Sequence, residues 1–119
     1  MERVDVTNAA DVEALKQGVE AKLPAIAGVV NGAMVLEDST FSQMTVEAFE
    51  KVMRPKTVGS RNMDKVFESS ELDFFIMTSS FAAVGGHAGQ ANYAAANMVS
   101  SPTPNATLVV GRTLTFAST

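Results

Sequence analysis

Apolar positions along the chain alternate between two periods. Val12, Leu15, Val19 and Leu23 step by 3, 4 and 4. That spacing predicts one face of a helix, with Glu13, Lys16, Glu20 and Lys22 off that face. Asn8 or the Ala10-Asp11 pair is placed to cap its start, and Pro24 to stop it. Residues 26–30 form a short apolar run without alternation, ending at Asn31-Gly32. Such a run predicts a parallel strand covered on both faces. Thr45 is a good N-cap with Glu47 in the first turn, which predicts a helix over 45–67. Its apolar seam is Phe49, Val52, Met53, Met63, Val66 and Phe67. Filling that seam with steps of 3 and 4 places Lys56 on the buried side, with Gly59 next along it. Pro55 predicts a local bend beside Lys56. Residues 72–78 read as a second strand and 91–99 as a helix. Val4-Asp5-Val6-Thr7 reads as the tail of an earlier strand. Leu108-Val109-Val110 reads as a further strand beyond Ser100-Ser101-Pro102-Thr103-Pro104-Asn105, which breaks the helix.

Strand, helix, strand, helix, strand, helix is the order of an α/β domain. It implies a parallel sheet of three to four strands flanked by helices. A chain of 119 residues holds one small domain. With no Cys and only His87, neither a disulfide framework nor a Cys/His metal cluster is available. Net charge is −4, which argues against nucleic acid as a partner. The apolar stretch 25–36 is interrupted by Asn31 and is too short to span a bilayer. The charged N-terminus lacks the apolar core of a secretory signal. Charge is unevenly spread: Arg112 is the one Asp, Glu, Lys or Arg after Asp73.

The chemistry-bearing residues gather in the charge-poor region. Phe74-Phe75-Ile76-Met77 leads into Ser79 and Ser80, then into a small-residue loop with Gly85, Gly86 and Gly89, then into Tyr93-Ala94-Ala95-Ala96-Asn97. Tyr93 and Asn97 are four apart on a helix and share a face. Ser80 lies at the carboxyl end of a strand, the side on which open α/β sheets bind ligands. Lys56 faces inward from the preceding helix. A tyrosine hydroxyl is a reluctant proton donor, with a reference pKa of about 10. A neighbouring ammonium stabilises its anion, and a serine hydroxyl can hold a carbonyl oxygen in place. Each residue alone also has an ordinary structural reading. Tyr93 can pack, Ser80 can cap a turn, Lys56 can snorkel and Asn97 can cap a helix. Their convergence at one sheet edge favours chemistry on a carbonyl.

These residues resemble the ketoreductase domain of polyketide synthases, of the fungal highly reducing type, within the short-chain dehydrogenase/reductase superfamily. The likeness is strongest over SSFAAVGGHAGQANYAAAN. The family places Ser and Tyr 13 apart, Asn four after Tyr, and Lys 24 before Ser. Ser80, Tyr93, Asn97 and Lys56 fit all three intervals. Asp5 in VDVT matches the acidic residue that bonds the cofactor adenine, with Val6 beside it. Asn31-Gly32-Ala33 matches the loop that lines the nucleotide. Leu36-Glu37-Asp38 is similar to a signature tied to hydroxyl stereochemistry in modular bacterial enzymes. His87 reads as a surface-loop residue rather than a base.

The resemblance implies a partial Rossmann-like fold over 1–98, with 99–119 outside the family pattern. It implies NADPH-dependent reduction of a β-ketoacyl chain, held on an acyl carrier protein, to a β-hydroxyacyl chain. Tyr93 is the implied proton donor, Ser80 positions the oxygen, Lys56 lowers the Tyr93 pKa and Asn97 supports the relay. The implied partners are that carrier protein and the other synthase domains, with no metal, membrane or nucleic acid, in the cytoplasm. The family's glycine-rich dinucleotide loop lies upstream of the Val4 position, so the 119-residue chain by itself is expected to be inactive. Two alternatives stand beside this reading. One is a non-catalytic structural piece of a synthase. The other is a free-standing short-chain dehydrogenase, disfavoured because position 97 is Asn where those enzymes have Lys.

Overall fold

The computed structural model describes residues 3–99, 107–110 and 113–114, the last two segments by backbone alone. In chain order the elements are α1 (Ala9–Glu20), β1 (Gly28–Asn31), α2 (Val46–Phe67), β2 (Phe74–Ser79), α3 (Ala82–Gly85), α4 (Ala91–Val99), β3 (Thr107–Val110) and β4 (Thr113–Leu114). A short 3-10 turn at Phe41–Gln43 precedes α2. The sheet runs β1-β2-β3-β4. β1, β2 and β3 are parallel, and β4 returns antiparallel on the edge. This is the α/β class that the element order predicts, with an antiparallel hairpin in place of a fourth parallel strand. Residues 100–105, expected to break the last helix, lie outside the described residues.

Both long helices begin where their caps place them. Asn8 Oδ1 accepts from the Ala10 amide at 3.1 Å, and Thr45 Oγ1 accepts from the Ala48 amide at 3.1 Å. Each satisfies one amide that the helix leaves unpaired. α1 ends at Glu20, short of Pro24. The amides of Lys22 and Leu23 both turn onto the Val19 carbonyl. Leu23 therefore leaves the helical face expected for it and is 61% exposed. α2 continues for 22 residues through Pro55.

The core lies between these helices and one face of the sheet. Val12, Val29, Phe67, Phe75 and Met77 form it, with Val4, Ile26, Met63, Val66 and Leu72 packed around it. The register pairs Val29 with Phe75 and Asn31 with Met77, so the buried positions of the two strands share that face. The expectation that the first strand is covered on both faces is corrected: Val30, on the opposite face, is 53% exposed. On this second face the Phe74 ring lies across Gly28. A Cβ there would come within 2.2 Å of Phe74 Cζ.

The expected strand tail at residues 4–7 is also corrected, since it joins no ladder. Asp5 instead bends the chain locally, accepting from the Thr7 amide and hydroxyl at 2.9 and 2.8 Å. The Val6 carbonyl accepts from Asn62 Nδ2 at 3.0 Å. Val6 itself packs against α2 at Gly59, where a Cβ would lie 2.7 Å from Val6 Cγ2.

Candidate active site

The carboxyl ends of β1 and β2 lie side by side, and α2 crosses behind them. The 3.6-residue seam carries Lys56 to that crossing, where it is 3% exposed. Its ammonium donates to Thr78 O at 2.5 Å and to Thr78 Oγ1 at 3.1 Å. Thr78 Oγ1 in turn donates to Asn31 O at 3.0 Å. Burial pushes the Lys56 pKa below the ordinary lysine value, because desolvation penalises the charged form.

Asn31, expected on the nucleotide loop, is 1% exposed. Its side chain turns inward. Nδ2 donates to Ser60 Oγ at 3.0 Å and reaches Pro55 O at 3.5 Å. Oδ1 accepts from the Ala33 amide at 3.0 Å, which sets the bend of the loop. Gly32 and Ala33 are left to form the loop surface, and Gly32 has open space where a side chain would stand.

At the end of β2, Ser79 Oγ donates to Asn97 O at 3.1 Å, tying α4 to the strand. Asn97 is 2% exposed and donates from Nδ2 to Tyr93 O at 2.8 Å, one helical turn back. Ser80 Oγ accepts from the Ala82 amide at 3.2 Å and starts α3, a single turn where a loop was expected. Tyr93 OH donates to Met34 Sδ at 3.4 Å. The structure thus brings Lys56, Asn97 and the serine pair to one sheet edge. It does not hydrogen-bond the hydroxyls of Tyr93 and Ser80 to each other or to Lys56.

The rim is closed by a clip between two loops. Gln90 Nε2 donates to both Asp38 oxygens at 3.1 and 3.0 Å. Asn92 Nδ2 donates to Glu37 O at 2.9 Å, and the Ser39 amide to Gly89 O at 2.9 Å. Gly89 meets that contact with φ of 77°, a conformation open to glycine. His87 sits on the exposed loop, as expected. Ser79 was named with Ser80 as a hydroxyl pair, whereas Thr78, Met34, Gln90 and Asn92 were not singled out as site residues. The polar Thr78-Ser79 end on an otherwise apolar strand was the available signal.

Asp5 opens on a separate cleft of about 360 Å³, lined also by Thr7, Val35, Glu47, Lys51, Arg54 and Pro55. The Thr7 amide, then its hydroxyl, hold the Asp5 carboxyl below the ordinary 3.8, and Arg54 adds to this. No group of three or more His, Cys, Asp or Glu among the described residues could hold a metal ion. None of the described helices is long and apolar enough to cross a membrane.

Residues 1–102 match the model of the KR domain family. The chain is 54% identical over 94 residues to hybrid PKS-NRPS synthetase traA of Penicillium crustosum, covering 79% of this chain and 2% of that protein. It is 50% identical over 95 residues to reducing polyketide synthase BOA6 of Botryotinia fuckeliana, covering 80% of this chain and 4% of that protein. Among solved structures it superposes on a ketoreductase domain from the bacillaene assembly line with a TM-score of 0.78 and 34% identity, over 82% of this chain and 24% of the other. An N-terminal ketoreductase from the macrolactin assembly line gives a TM-score of 0.77 and 33% identity, over 81% and 20%. The family match over most of the chain, the parallel sheet and the polyketide-synthase relatives agree: the chain belongs to the KR domain family, the ketoreductase domains of polyketide synthases.

Proposed function

We propose that this chain carries the proton-delivery half of a ketoreductase that reduces a β-ketoacyl thioester to a β-hydroxyacyl thioester with NADPH. The substrate is carried by an acyl carrier protein, and the other domains of a fungal reducing synthase in the cytoplasm are its partners. The observation that carries the reading is the buried Lys56 ammonium at the strand ends, with α4 bound to the same edge through Ser79 and Asn97.

Each side chain has a role that its contacts support. Ser80 Oγ already accepts an amide proton, so its own hydroxyl proton is available to a substrate carbonyl oxygen. Tyr93 OH rests on a thioether, a weak acceptor that a carbonyl oxygen readily replaces. As negative charge develops on the substrate oxygen, Tyr93 donates its proton, and the Lys56 charge stabilises the tyrosinate left behind. Asn97 holds the Tyr93 turn through its carbonyl.

The residues present fit a nicotinamide dinucleotide. Asp5 is an exposed carboxylate kept ionised and bordering a cleft, suited to accept from an exocyclic amine, with Val6 anchored beside it. Asn31 shapes the loop from within by holding the Ala33 amide, and Gly32 leaves the loop surface open. The chemistry that NADPH supplies when bound is the hydride. The chain spans 20–24% of the solved ketoreductases it matches, and we propose that it does not turn over by itself.

The test is made in the parent synthase. Tyr93→Phe should leave chain extension intact and release a product that retains the ketone. A normal yield of alcohol from that variant would remove Tyr93 from the mechanism.

A further inference from the structure

We propose that Thr78 is the positioning residue for Lys56, holding its ammonium through a fixed hydroxyl. The sequence pattern marks Lys56 by its place on the helical seam but says nothing of what meets it. The structure shows two bonds from Lys56 Nζ, both to Thr78. A threonine hydroxyl carries one proton and two lone pairs. That proton is committed to Asn31 O, so the oxygen presents only lone pairs to the ammonium. The Asn31 side chain then returns to α2 at Ser60, four residues beyond Lys56. Lys56, Thr78, Asn31 and Ser60 thus close a circuit that begins and ends on α2 and ties β1 to β2.

The circuit answers a physical need. A desolvated ammonium is costly unless its donors are met. Thr78 O and Oγ1 meet two of the three. An apolar residue of the same shape at position 78 would keep the carbonyl and lose the hydroxyl. The ammonium would then lose one bond to its charged form and gain a rotational freedom it now lacks.

Few other groups bear on its titration. β1, β2 and α3 carry no titratable side chain, and α4 contributes Tyr93 alone. Of the acids and bases on α1, Lys16 is anchored at Val66 O, near the far end of α2. On the 33–45 loop, Glu37 pairs with Lys51 and Asp38 with Gln90. The 3–7 segment brings Arg3 and Asp5, with Asp5 bonded to Thr7. α2 itself carries Glu47, Glu50, Lys51, Arg54, Arg61, Asp64 and Lys65. The depression of the Lys56 pKa comes from burial, which leaves the Thr78 bonds as its local counterweight.

The catalytic meaning of this arrangement rests on the ketoreductase reading, but its test does not. In the full 119-residue chain, the Lys56 side chain is titrated by NMR with labelled lysine. Thr78→Val should lower the Lys56 pKa by about half a pH unit or more, since a bond that favours the charged form is lost. Thr78→Ser should restore it. An unchanged Lys56 titration in Thr78→Val, or a loss in Thr78→Ser equal to that in Thr78→Val, overturns the proposal. Should Thr78→Val not fold, the unsubstituted chain decides the matter. Its Lys56 ammonium protons should exchange slowly enough with water to be seen at neutral pH. Exchange as fast as that of the exposed lysines overturns the proposal. Failure of ketoreduction in the parent synthase, with these titrations intact, would count against the reaction and not against Thr78.

Discussion

Two halves of the candidate site are built differently. The inner half joins the buried Lys56, Asn31 and Ser60 to a half-buried Thr78 and spans three elements of regular structure. The outer half, Ser80 and Tyr93, sits at the rim and makes contacts that a ligand could exchange: a turn amide and a thioether. Lys56, the charge that would tune the reaction, is held before any substrate arrives. The groups that would touch substrate keep weak or local partners. Such a division suits catalysis, because preorganised charge need not be rearranged in the transition state. The rim, meanwhile, must trade its partners for the substrate.

The largest effect is expected at the inner half. Lys56→Met in the parent synthase should cut ketoreduction by about 10²–10⁴-fold, the range of general acid–base contributions. The yield of reduced product from a β-ketoacyl thioester checks this, and near-normal reduction by Lys56→Met would detach Lys56 from proton delivery.

Next comes the scaffold behind Lys56. Gly59→Val drives a branched side chain into Val6 and should cost about 1–3 kcal/mol, the range for overpacking. Urea unfolding of the chain measures it. No loss would mean that residues 3–7 do not bear on α2.

A smaller effect is a pH slope in stability. The folded-state pKa of Lys56 lies below its unfolded value, so the unfolded chain binds more protons between the two. Stability should therefore rise as pH climbs from the folded value toward the ordinary 10.5, and Lys56→Met should flatten that rise. Urea midpoints across the alkaline range show whether it does. Smallest of all, Met34→Leu removes a half-exposed acceptor from Tyr93 OH and should leave stability within about 0.5 kcal/mol. Thermal unfolding checks this, and a larger fall would make the rim part of the core.

How far the sequence was legible follows the same division. Lys56 could be placed from helical period alone, because burial along one face of α2 repeats every three or four residues. The intervals joining Lys56, Ser80, Tyr93 and Asn97 pointed to the family for the same reason: regular structure carries spacing into space. What stayed hidden depended on partners distant in sequence. Thr78 looked like the tail of an apolar strand until β1 supplied the Asn31 carbonyl. Val4 to Thr7 carried a strand-like pattern, yet Asn62 and Gly59 hold it against a helix. The first strand read as buried on both faces, since a short apolar run does not reveal which side a helix covers. The clip of Gln90 on Asp38 joins residues 52 apart, and no local period encodes it.

The central claim is that these two halves serve one reduction. The most direct measurement gives the parent synthase domain a β-ketoacyl thioester and NADPH carrying deuterium at the transferable position. One deuterium is expected on the hydroxyl-bearing carbon of the product, formed by the unsubstituted domain and not by Tyr93→Phe. An unreduced ketone, or an alcohol without deuterium at that carbon, would contradict it.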